Sequence, residues 1–223
     1  MELCCDVTKK KENYSTSFLL FYLSFSFSFS PCHVTEAMEL FRAIENKDGE
    51  AVYRIARHYA DSGDFINWRN PSLHHITSIH YAANNGMAKI LEILVSTDQA
   101  DVNLKCDWDC TPFYHACWNN KVECVKVLLR NERTDVNLPR KQAEGDVRTP
   151  LEVCIHNNRI EVIKHWIASG REMEFGTGQN SAFWIAERWS REVIAPLLKR
   201  FRAFPEKVRE EVRKEIGWGE EEV

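Results

Sequence analysis

The sequence predicts an all-α protein, an array of short helical hairpins stacked side by side. Two observations carry that prediction. Residues 111–138 hold a helix-start signal, a helix-stop and a second apolar helix face in quick succession, with too little apolar surface to fold alone. The same signals return in register 34 residues upstream and 38 residues downstream.

The central segment opens with Thr111-Pro112. Thr can cap the first turn, and Pro at the first helical position forfeits only an N–H that had no partner. An apolar run from Phe113 to Trp118 follows, ended by Asn119-Asn120, where Asn can take the left-handed conformation. A second helix carries Val122, Val125, Leu128 and Leu129 on one face, and Asp135-Val136-Asn137 reads as an extended exit.

Upstream, Thr77-Ser78-Ile79-His80-Tyr81-Ala82-Ala83 matches Thr111 to Cys117, and Asp101-Val102-Asn103 matches the later exit. Downstream, Thr149-Pro150-Leu151 restarts the unit, and Glu161-Val162-Ile163-Lys164 matches Glu123-Cys124-Val125-Lys126. Gly86, Asn120 and Asn158 occupy the helix-stop position in turn, each tolerant of positive φ.

A period in the low thirties with a TPLHxA-like start resembles the ankyrin-repeat family over residues 36–203. The resemblance implies an all-α ankyrin-repeat solenoid of stacked helix-turn-helix units with β-hairpin-like connecting loops. The chain departs from the family pattern in places. Ser78 replaces the usual Pro, Tyr114 and Glu152 replace the His, and Asp109 stands at the hairpin glycine. Met87, Lys121 and Arg159 follow the helix stop where His is usual, and the loop from Pro139 to Arg148 is lengthened. These changes predict weaker internal hydrogen bonding without loss of register.

Taken in order, residues 1–35 lie outside the repeats. Lys9-Lys10-Lys11 precedes a 13-residue apolar run from Phe18 to Ser30, too short for a membrane span of about 20 residues. A basic lead and a short apolar core resemble a signal peptide, but Ser28-Phe29-Ser30-Pro31 is a poor cleavage site. A disordered low-complexity extension, with Met38 as the true start, is the preferred expectation.

Residues 36–67 read as a degenerate first repeat, with Met38, Leu40, Phe41 and Ile44 on one helix and Val52, Ile55, Ala56 and Tyr59 on the next. Clear repeats occupy residues 68–103, 104–137 and 138–175, and a divergent last repeat occupies 176–203. In that last unit Val193, Ile194, Leu197 and Leu198 are expected to line the second helix, with Pro196 kinking or shortening it. Residues 204–223 read as a charged closing helix, with Val208, Val212 and Ile216 four apart, and an acidic tail.

Composition excludes some roles. The net charge is −4, and residues 204–223 hold seven acidic and four basic side chains, so the repeats are nearly neutral. A nucleic-acid-binding surface would carry a basic stripe. Of the eight cysteines, Cys117, Cys124 and Cys154 fall on small or apolar helix positions, which favours reduced thiols and a cytoplasmic setting over a disulfide framework.

No catalytic motif is present: no phosphate loop, Gly-x-Ser-x-Gly, Cys-x-x-Cys or His-Glu-x-x-His. Asp107, Asp109 and His115 are read as hairpin and first-helix residues rather than a hydrolytic cluster. Cys106, Cys110 and His115 have workable zinc spacing, with His74-His75 one repeat earlier, but no second ligand-like pair follows. No metal or cofactor is therefore assigned.

The expected activity is non-catalytic binding of another protein by a monomer, as an adaptor. The resemblance implies a concave recognition surface of hairpin tips and first helices. It selects Leu73, His74, Ile76, Asn84 and Asn85 in the first clear repeat, then Asp107, Trp108, Cys110, Trp118 and Asn119 in the second. In the third it selects Val147, Arg148, His156 and Asn157. Trp108 and Trp118 lead the set, because Trp often dominates binding energy. Trp166 is read as core, and Trp184 and Trp189 as packing of the final cap. The alternatives are a secreted or membrane-delivered protein directed by residues 9–30 and a metal- or redox-responsive regulatory element.

Overall fold

The computed structural model describes residues 31–59, 63–141, 147–178 and 181–219. Helices α1 (Pro31–Glu45) and α2 (Gly49–His58) form the first pair, followed by the single turn α3 (Gly63–Ile66) and a 3₁₀ turn at Pro71–Leu73. The three clear repeats are α4 (Ser78–Asn85) with α5 (Ala88–Val95), α6 (Pro112–Trp118) with α7 (Val122–Arg130), and α8 (Pro150–His156) with α9 (Ile160–Ser169). A last pair, α10 (Ala182–Arg188) and α11 (Ile194–Ala203), precedes the closing helix α12 (Pro205–Ile216).

The first helices α4, α6, α8 and α10 each start on a hydroxyl cap. Thr77, Thr111, Thr149 and Ser181 accept the backbone N–H three residues on, at 3.4, 3.1, 3.2 and 3.2 Å. Such a cap contributes about 1 kcal/mol by satisfying a donor that the helix leaves open. The stops fall as the sequence predicts, with Gly86, Asn120 and Asn158 all at positive φ. Ser190 takes the same conformation in the last unit, where no Gly or Asn marks it.

The first helices stack α1–α4–α6–α8–α10, and the second helices stack α2–α5–α7–α9. Helix α12 then packs on both α9 and α11, closing the second-helix row. The core lies between the rows. Trp166 of α9 is fully buried and meets Phe113 of α6 edge to face, with ring centroids 5.1 Å apart.

Polar side chains join successive units along the extended exits. Asn67 accepts the N–H of Asp101 at 2.7 Å and donates to Gln99 O at 2.8 Å. Asn103 does the same with Asp135 N–H and Arg133 O, both at 2.8 Å, and Asn137 with Glu174 N–H and Glu172 O, both at 3.2 Å. Arg133 reaches back to the carbonyls of Val95, Thr97, Asp98 and Ala100, where α5 ends. Arg171 likewise bonds the carbonyls of Leu129, Asn131 and Thr134, at and just after the end of α7. Helix ends that would otherwise leave carbonyls unpaired are thus covered by the next repeat.

Several expectations are corrected. Helix α1 begins at Pro31, so the expected boundary at residue 35 falls inside a helix; the rest of the extension lies outside the described residues. Val193 does not line α11: it precedes the helix and is 56% exposed. Pro196 is the reason, because a helix starting at Ile194 places it in the first turn, where its missing N–H costs no bond. The long third loop forms a small antiparallel ladder of β1 (Arg140–Lys141) and β2 (Val147–Arg148); residues 142–146 lie outside the described set.

Trp184 and Trp189 are not buried cap residues, being 40% and 51% exposed. Trp184 holds the position of His80, Tyr114 and Glu152, which are buried in the preceding units. Among the described residues no further repeat packs over it.

Candidate protein-recognition surface

The hairpin tips are built on tight turns with positive φ. His74, His75 and Asp109 all lie near +55°, and Asp109 meets the steric demand of the usual hairpin glycine without being one. Backbone bonds lace one tip to the next, as Asp107 N–H donates to His74 O at 3.0 Å. The Asp109 carboxylate accepts Lys105 Nζ at 2.9 Å and the Lys141 N–H at 2.7 Å, while Lys105 Nζ also donates to Pro139 O at 2.7 Å. Burial works against ionisation here, but the Lys105 hydrogen bond and the Lys141 N–H outweigh it and hold the carboxyl below its ordinary range.

Aromatic rings cross these tips. The His74 ring lies 4.4 Å from that of Trp108, centroid to centroid, and Trp108 in turn meets His115 of α6 edge-on at 6.2 Å. Beside them, His75 Nδ1 lies 2.9 Å from the carboxylate of Asp107, which also faces Arg69 at 3.9 Å. Along the ends of the first helices, Trp118 stacks on Tyr114 and His156 meets Trp189 edge to face at 4.5 Å.

Beneath the Trp108 tip, Cys106, Cys110 and His115 converge, with their ligating atoms all within 4.8 Å of one another. His115 Nε2 lies 3.5 Å from Cys106 Sγ. A hydrogen bond from the Cys110 thiol and then His115 hold the Cys106 thiol well below its ordinary pKa, against burial, which pushes the other way. On the neighbouring repeat, burial and then His115 lower His80 to about 4, so that ring is neutral at neutral pH. Deeper in the stack, burial and a hydrogen bond with Cys154 push Cys117 well up, and burial pushes Cys124 up to about 12. The five cysteines with described side chains are in no disulfide.

The sequence-selected residues therefore divide. His74 and Asp107 are exposed, and Leu73, Asn85, Trp108, Trp118, Asn119, Arg148, His156 and Asn157 are half-buried. Ile76, Asn84 and Cys110 are buried and do not face a partner. Ile76 and Cys110 stand just before the capping Thr of α4 and α6, where an apolar residue packs inward as a staple. Asn84 is turned to its neighbour, accepting Asn119 Nδ2 at 2.8 Å. Trp108 and Trp118 both pack on the core while keeping part of each ring in solvent. Val147 is 41% exposed. Trp189, exposed and set against His156, was not among the residues selected from the sequence. Its register with Asn85, Asn119 and Asn157 was the available signal.

The family model for ankyrin repeats in three copies matches residues 40–140 and, in a second alignment, residues 79–176. Together these matches run from residue 40 to 176, more than half of the 223-residue chain. The stacked helix pairs, the hydroxyl caps and the hairpin connections agree with that match. This chain belongs to the ankyrin-repeat family, whose members are generally protein–protein interaction modules and typically non-catalytic.

Proposed function

We propose that this protein is a non-catalytic adaptor that binds one partner protein across the hairpin tips and the ends of the first helices. The observation that carries the reading is a series of partly exposed rings on successive units: Trp118, His156 and Trp189. Trp108 and His74 extend the series onto the tips, with Asp107 as an exposed acid beside them. Partly buried aromatics supply large contact area at little entropy cost, since their own repeats already hold them. Asn85, Asn119, Arg148, His156 and Asn157 form the polar surround.

The stack meets the ordering cost before any partner arrives, which favours binding without large rearrangement. Buried, unoxidised thiols support a reducing, cytoplasmic setting. The adaptor acts as a monomer, which light scattering on the purified chain would check. The test of the surface uses the full chain as bait in native lysate, beside the Trp108→Ala/Trp118→Ala double variant, with circular dichroism on both. A partner retained by the parent and lost by the folded variant supports the reading. Equal retention by both removes these rings from the recognition surface.

A further inference from the structure

We propose that Cys106, Cys110 and His115 form a binding site for a single thiophilic closed-shell ion, zinc(II) or copper(I). The chain assembles the three ligands locally. Cys106 N–H donates to Cys110 O at 3.1 Å and Asp109 N–H donates to Cys106 O at 2.9 Å, so the tip folds back and brings both sulfurs to one side. Thr111 caps α6 immediately after Cys110, which puts His115 one turn into that short helix, beside the loop. His80 Nε2, from the preceding repeat, holds the Cys110 carbonyl at 3.0 Å.

The spacing of the donors suits a metal. With Zn–S near 2.3 Å and Zn–N near 2.0–2.1 Å, a tetrahedral ion needs a sulfur–nitrogen edge of about 3.5 Å. The observed distance from Cys106 Sγ to His115 Nε2 is 3.5 Å, and all three ligating atoms fall within 4.8 Å of one another. Two sulfurs and an imidazole form a soft set that selects zinc or copper(I) over magnesium or calcium. Copper(I) is satisfied by three ligands, and zinc takes a water as its fourth. Each binding thiol releases its proton to solvent.

The imidazole gives a second, independent indication. His115 is buried, and among the described residues the hydrogen-bond partner of Nε2, the nitrogen that faces the cluster, is the Cys106 sulfur, a weak partner for a buried ring. An ion on Nε2 supplies the strong contact that the protein does not. The site does not depend on the adaptor reading, although it lies directly under the Trp108 tip.

The test uses the full chain, reduced and held under argon, titrated with cobalt(II) as a coloured stand-in for zinc, then with zinc(II) and with copper(I). One equivalent is expected to bind, with a near-ultraviolet thiolate-to-cobalt band. X-ray absorption on the parent should show two sulfurs and one imidazole around the zinc or the copper. At a hundredfold excess of free ion over Kd the melting temperature should rise by about 5–10 °C. Cys106→Ser and Cys110→Ser should each abolish binding, His115→Gln should weaken it at least about tenfold, and Cys154→Ala should leave it unchanged. Failure of both ions to bind overturns the proposal. A shell without imidazole in the parent, or full stoichiometry in the folded Cys106→Ser/Cys110→Ser variant, overturns it too.

Discussion

His80 Nε2 donates to the backbone carbonyl of Cys110 at 3.0 Å, tying the first helix of one repeat to the hairpin of the next. Its other nitrogen, Nδ1, accepts the N–H of its own cap residue Thr77 at 3.2 Å. One buried ring thus closes a cap and a repeat interface together. His80→Ala should cost about 1–3 kcal/mol, because it orphans the buried Thr77 N–H and removes one of the two bonds to the Cys110 carbonyl. His80→Gln carries one acceptor and one donor and should recover about half of that. Urea unfolding of the three proteins makes the comparison, and equal losses for Ala and Gln would refute the bridging role.

Arg171 performs a related task, donating to three carbonyls at and just after the C-terminal end of α7. Arg171→Ala should lower stability by about 2–3 kcal/mol, since hydrogen bonds from charged donors are worth more than neutral ones. Arg171→Lys should recover little, because one ammonium cannot span carbonyls that the guanidinium fork reaches together. Thermal melts of the pair would decide it; a lysine variant as stable as the parent would reduce the fork to a charge effect.

Trp166 fills the core against Phe113, yet its indole Nε1 is buried without a partner. Trp166→Ala should therefore cost about 3–5 kcal/mol through lost burial and a cavity. Trp166→Phe should cost less than about 2 kcal/mol, because the smaller ring also removes the unpaired donor. Denaturant midpoints at equal m-values measure both.

Cys124 is fully buried, with its thiol pushed up to about 12 by burial. In the unfolded chain the thiol loses its proton near its ordinary value of about 8.5–9. Above that pH the unfolded state binds fewer protons than the folded one, so stability falls as pH rises toward 12. The contribution at pH 10.5 is about 3 kcal/mol at most. Cys124→Ala shifts the baseline but should remove that slope relative to the parent between pH 8.5 and 10.5. Parallel curves would mean that the thiol ionises equally well in both states.

Much of the stack was legible because its signals are local. Thr77, Thr111 and Thr149 lie one residue before their helices, and Gly86, Asn120 and Asn158 stop them, as the chain chemistry requires. Trp166 was legible as core from its register with Leu94 and Leu128, which are also buried. The recognition surface was less so. Half-burial of Trp108 and Trp118 depends on what each neighbouring repeat covers, and Asn84 is occupied by a partner 35 residues away.

The sequence by itself determined the class of fold, the repeat register and the caps and stops of the clear repeats, because capping and apolar periodicity act within one helical turn. Only the tertiary structure decided which polar and aromatic residues face out. Stacking one repeat on the next buried His80, while Trp184 at the same register stays 40% exposed, with no further repeat beside it among the described residues. It also closed Cys106, Cys110 and His115 into one cluster, because a turn at Asp109 and the start of α6 fold sequence spacing into distance. Exposure and convergence are properties of neighbours, and neighbours exist only once the chain has stacked.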